Sequence, residues 1–64
     1  MRDFIKINKT RLRKNTIKRY IPTDEKRITV YYSPSRNKVD FESFVFDSKE
    51  KRDEMIAELD LNFL

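Results

Sequence analysis

At 64 residues, with 41% charged and 38% apolar side chains, the chain is one domain at most, near the lower size limit for unaided folding. It contains no Cys, no His and no Gly, and its formal net charge is +4. These absences exclude disulfides and cysteine nucleophiles, remove the usual neutral-pH base and commonest metal ligand, and leave no glycine-built phosphate loop.

So polar a composition raises the prospect of disorder. Against it stand five Phe, three Tyr and six Ile concentrated in patterned segments, which give the chain something to bury. The opening residues break any apolar run after Phe4 and Ile5, unlike a signal peptide or membrane span, so the expected location is the cytoplasm. Charge is polarised. Residues 1–32 carry ten Lys/Arg against three Asp/Glu (+7), and residues 33–64 carry five against eight (−3), which together restore +4. Such a chain can steer acidic partners to one half of itself.

The sequence predicts an α+β domain spanning 1–64: an antiparallel β-meander of three to four strands, a small half-barrel-like sheet, packed by one C-terminal helix. The first strand covers about 4–8, with Ile5 and Ile7 on one face. Residues 8–10 read as a loop or turn, and 11–16 are ambiguous: Leu12, Thr16 and Tyr20 would share a helical face and Arg11, Leu12 and Arg13 alternate as a strand would, but an irregular connection over 9–16 is favoured because one Leu cannot anchor a helix. A second strand covers about 16–22, with Ile17, Arg19 and Ile21 on one face and Lys18 and Tyr20 on the other; Pro22 ends it. After a polar loop at 23–26, the clearest strand covers about 27–33, with Ile28, Val30 and Tyr32 pointing one way. Residues 33–38 read as a turn with Asn37 at positive φ.

The last strand covers about 38–46. Val39 and Phe41 have one parity, Phe44 and Phe46 the other. A β-bulge near Glu42 and Ser43 would bring all four to one side; the alternative is a strand apolar on both faces, its second face covered or paired by a partner. A helix at about 48–60 follows. Asp47 with Glu50 makes a capping box, Ser48 is a competing cap, and Arg52, Met55, Ile56, Leu59 and Phe63 form one stripe. Lys49, Lys51 and Arg52 near its start, and Glu58 and Asp60 near its end, oppose the helix dipole, so packing must hold it. Leu61 lies off the stripe, which predicts that the last residues leave the helix.

No catalytic constellation emerges, and no enzyme activity, cofactor or metal is expected. Asp40 and Glu42 share a strand face, but a solvated face explains them better than a catalytic pair, as it does Asp53 and Glu54. The basic run is more informative: Lys9, Arg11, Arg13, Lys14, Lys18 and Arg19 place six cations in eleven residues with no acid between them. Phosphates reward such a run through counterion release, and exposed tyrosines can stack on bases. Acidic protein surfaces reward it too, and Tyr and Arg are favoured at interface hot spots. Tyr20, Arg27 and Tyr31 therefore join the run as candidate binding residues. Phe41, Phe44, Phe46 and Phe63 are read as core, while Tyr31 and Phe4 are the candidates for exposed anchors.

Residues 44–59, FVFDSKEKRDEMIAEL, resemble the last strand and C-terminal helix of pleckstrin-homology-like domains. The similarity covers about a quarter of the chain and implies at most a reduced half of such a barrel; the family's basic phosphoinositide loop has no matched position. The small size and the Lys/Ile/Asn-rich, Gly-free composition also look like accessory proteins of phages and mobile elements, many of which occupy the surface of a host machine. That likeness implies a stoichiometric inhibitor or adaptor binding a protein with an acidic surface. The alternative is a small nucleic-acid-binding protein using the Lys9–Arg19 run, and the open edges of a small sheet leave self-association as a third reading.

Overall fold

Alternation of apolar and charged side chains builds the strands of this protein, and an apolar stripe at helical spacing docks the helix. The computed structural model describes residues 3–64; the sequence expectation of loosely tethered first residues falls in part on Met1 and Arg2, outside the described residues. In chain order the elements are β1 (Phe4–Ile7), β2 (Thr10–Arg13), a 3-10 turn (Lys14–Thr16), β3 (Ile17–Asp24), β4 (Arg27–Ser35), β5 (Lys38–Val45) and α1 (Lys49–Phe63). The fold is α+β. Five antiparallel strands are present among the described residues, more than the three to four expected, in a β1–β2 hairpin and a β3-β4-β5 meander.

The core is one cluster. Ile5 and Ile7 of the hairpin, Ile28 and Val30 of β4, Phe44 and Phe46 at the end of β5, and Met55 and Leu59 of α1 are buried in it. Leu12, Ile17, Tyr20, Ile56 and Phe63 pack against it from the rim. Each full burial of such a side chain contributes about 1.5–3 kcal/mol, so this cluster is what holds an otherwise very polar chain.

Several local expectations are corrected. Residues 10–13 pair with β1 instead of forming a loop, because Leu12 lies opposite Ile5 and extends the buried face. The left-handed residue is Asn8 (φ 56°), in the tight β1–β2 turn, and not Asn37. Its side chain donates to the Val45 carbonyl at 3.0 Å, tying the hairpin to β5. The helix is capped by Ser48, whose Oγ accepts from the Lys51 amide at 3.2 Å, not by an Asp47 capping box. It continues through Leu61 to Phe63, because Phe63 packs on the core rim and on Tyr20 at 6.1 Å between ring centroids. Two of its badly placed charges have tertiary partners: Arg52 donates to the Asp24 carbonyl, and Asp60 accepts from the Tyr20 hydroxyl at 2.7 Å.

The correction that matters most concerns β5. Its pairing with β4 runs without a break from Arg27↔Val45 to Tyr32↔Asp40, so there is no bulge at Glu42 and Ser43. The irregularities lie elsewhere: near Lys18 and near Thr23 in β3, and between Tyr32 and Ser35 in β4. The shift at Lys18 turns Ile17 inward beside Tyr32, while Arg19 and Ile21 stay outside; the predicted common face of the three is broken there.

Candidate interaction surfaces

With no bulge in β5, Phe44 points into the core and Phe41 points away from it. The meander therefore has a second face, and side-chain parity along the register defines it. One row crosses the three strands as Arg19–Tyr31–Phe41, the next as Ile21–Thr29–Ser43, and Arg27–Val45 continues it toward the β3–β4 turn. Ile21, Val39, Phe41 and Val45 are all exposed, from 41% to 66%. Arg19 lies over the Tyr31 ring at 4.5 Å, and Tyr31 packs on Phe41 at 5.8 Å between centroids. A guanidinium held on one ring, itself braced by a second, is a pre-ordered contact element; holding it open in solvent loses apolar burial.

Hydroxyls make the centre of this face rigid. Thr29 is buried there, and its Oγ1 bonds Thr23 Oγ1 on one side and Ser43 Oγ, at 3.1 Å, on the other. Among the described residues no buried side-chain polar atom lacks a partner. At the end of the sheet, Asp24 pairs with Arg27 at 3.6 Å and accepts the Lys26 amide at 2.9 Å, which closes the turn. The pair is exposed and contributes little stability.

The edges of the meander are less inviting than its face. β3 carries Pro22, which cannot donate, between its two irregularities. Free on one side, β5 turns Asp40 and Glu42 inward, opposite Tyr32 and Val30. Inward charges, proline and bulges are the devices by which edge strands resist added strands.

The hairpin presents a different surface. Its core side holds Ile5, Ile7 and Leu12, so its other side holds Phe4 opposite Arg13 and Lys6 opposite Arg11. Arg13 covers the Phe4 ring at 5.3 Å. Lys9 is exposed in the turn, and Lys14 begins the 3-10 turn half-buried.

The nine candidate residues from the sequence are thus divided. Arg19 and Tyr31 meet on the outer sheet face, and Arg27 lies at its far end. Lys9, Arg11, Arg13 and Lys14 belong to the hairpin or follow it, and Lys18 stands exposed at the β3 irregularity. Tyr20 is not an exposed anchor: it faces Val30 on the core side, half-buried against Phe63. Burial first, then its hydrogen bond and the charge of Asp60, push its phenol pKa up to about 12. Phe41, Val39 and Val45, which sequence reasoning placed in the core or passed over, complete the outer face. Opposite parity within 38–46 was the signal for them.

Among the described residues no three acidic side chains come together as a metal site would require. No helix there is long and apolar enough to cross a membrane. The chain is thus a small α+β protein with two unlike exposed surfaces. No protein-family model, curated protein or solved structure matches it.

Proposed function

We propose that this protein is a non-enzymatic protein-binding module, a stoichiometric inhibitor or adaptor, that docks through the outer face of its meander. One observation carries the reading: β5 carries apolar side chains on its outer face as well as toward the core, and the outer ones are exposed. A chain with so few apolar residues spends Val39, Phe41 and Val45 outside its core; Val39 and Phe41 adjoin Tyr31 and the Ile21 row, and Val45 stands beyond Ser43 at the end of the face. Contiguous exposed apolar groups mark interaction sites, whereas isolated ones are ordinary.

The charge of the face selects the partner. Arg19 and Arg27 flank it, and its acids, Asp24 paired with Arg27 and the neighbouring Glu25 of the turn, lie together at the Arg27 end. The complementary surface is apolar with carboxylates at its rim. Association is then steered by charge, while the rings and valines, once desolvated, supply most of the affinity.

A photo-crosslinking side chain at position 41 tests this, with the same group at Glu54 on the exposed side of α1 as reference. The expected result is one protein crosslinked at one-to-one stoichiometry from position 41, lost on Arg19→Glu. Equal crosslinking from both positions, or none from position 41, would refute it.

A further inference from the structure

We propose that the β1–β2 hairpin carries a second and independent binding site, for single-stranded nucleic acid. On its outward side the Phe4–Arg13 pair braces the hairpin, but the Lys6–Arg11 pair does not. Lys6 and Arg11 are directly opposed across the two strands, and like charges in that position repel. Arg13 follows in the next row, about 7 Å along the strand from Arg11. Among the described residues the ion pairs are Arg27–Asp24, Lys38–Asp40 and Arg52–Asp53; none of them neutralises the hairpin. A cationic row kept unpaired, at a cost to the hairpin, is suited to an anion that comes from outside.

Phe4 indicates which anion. It is 47% exposed beneath the Arg13 guanidinium and, with Lys6, Arg11 and Asp3, lines an open concavity. Cations that follow a phosphate backbone around an aromatic ring are what single-strand binding requires: a base can stack on the exposed part of the ring or on the Arg13 guanidinium that lies over it. Duplex DNA offers the same phosphates but no free base face. An acidic peptide offers charge without a ring to stack. Asp3 is the one carboxylate lining the concavity, so the phosphates are placed over Lys6, Arg11 and Arg13. This side of the hairpin and the outer sheet face are each the reverse of a face that packs into the core.

The test is fluorescence anisotropy with a labelled single-stranded DNA, its duplex and polyglutamate as separate probes. Three neutralised phosphates at about 0.7 counterions each give a log–log salt slope near −2, or a roughly 20-fold loss between about 50 and 200 mM salt. Phe4→Ala should weaken single-strand binding about tenfold, the effect of one lost stacking contact. Arg11→Glu should weaken it at least as much, yet raise the melting temperature, because it turns a repelling cross-strand pair into an attracting one. That opposite movement separates a lost site from a damaged fold. If Arg11→Glu does not fold, Arg11→Gln carries the test, with a several-fold loss expected. Absence of single-strand binding, a flat salt response, equal binding of duplex or polyglutamate, or indifference to Arg11 and Phe4 would each overturn the assignment.

Discussion

Replacing Phe41 and Phe44 by Ala, one at a time, separates the two faces of β5. The residues are three apart in one strand and identical in chemistry, but Phe41 is 64% exposed and Phe44 is 4% exposed. A phenylalanine has about 200 Å² to bury. The covered third of Phe41 is then about 70 Å², or about 1.8 kcal/mol at 25 cal/mol per Å². Alanine keeps part of that, so Phe41→Ala should cost about 1–1.5 kcal/mol, including its contact with Tyr31. Phe44→Ala opens a cavity beside Ile28 and should cost about 3–5 kcal/mol. For a chain of this length the whole stability is about 3–10 kcal/mol. Phe44→Ala should therefore leave a substantial unfolded fraction at room temperature, while Phe41→Ala melts about 4–12 °C lower and remains folded. Circular dichroism during urea and thermal unfolding reads both. Equal losses, or a larger one for Phe41, would mean that β5 is bulged and that Phe41 belongs to the core, removing the outer face as a candidate site.

Three further outcomes follow from single contacts. Tyr20 holds its proton more tightly in the folded protein than in the unfolded chain, so its contribution is complete below pH 10 and is lost as pH rises toward 12; spectrophotometric titration of Tyr20→Phe should lack the highest-pH phenolate step, and the variant's stability should fall less over that range. Asn8→Ala removes the bond to Val45 and puts at φ 56° a residue that tolerates the left-handed region less well than Asn, for an expected loss of about 1–3 kcal/mol; Asn8→Gly loses the same bond but removes the β-carbon penalty and should lose less, measured by urea midpoint. Ser48→Ala frees the Lys51 amide and should cost about 0.5–2 kcal/mol, whereas Asp47→Ala should be near neutral, because Asp47 is not the cap.

The α+β class and most element positions were legible in the sequence, because they rest on local pattern. Ile5 and Ile7, then Ile28 and Val30, alternate as half-buried strands must, and Met55, Ile56, Leu59 and Phe63 recur at helical spacing. Less could be read where a segment's meaning depends on what lies opposite. Residues 10–13 have a single apolar side chain, and only β1 beside them makes that enough for a strand. Helix length was underestimated for the same reason: Phe63 is kept in α1 by Tyr20, 43 residues earlier in the chain.

By itself the sequence determined that this chain has no cysteine, histidine or glycine, a polarised charge, and a last strand whose apolar residues fall on both parities. It left open whether a bulge would reunite them. Only the tertiary structure decided that, by keeping β5 in unbroken register with β4 and placing the irregularities at Lys18, Thr23 and Ser33–Pro34 instead. It also divided one basic run between two surfaces. Lys9 to Lys14 lie in or just after a hairpin whose apolar side is buried, and the shift at Lys18 turns Arg19 to the outer sheet face. Charge along a chain is a one-dimensional property. Which surface it faces is fixed by strand register, and register is set by the core.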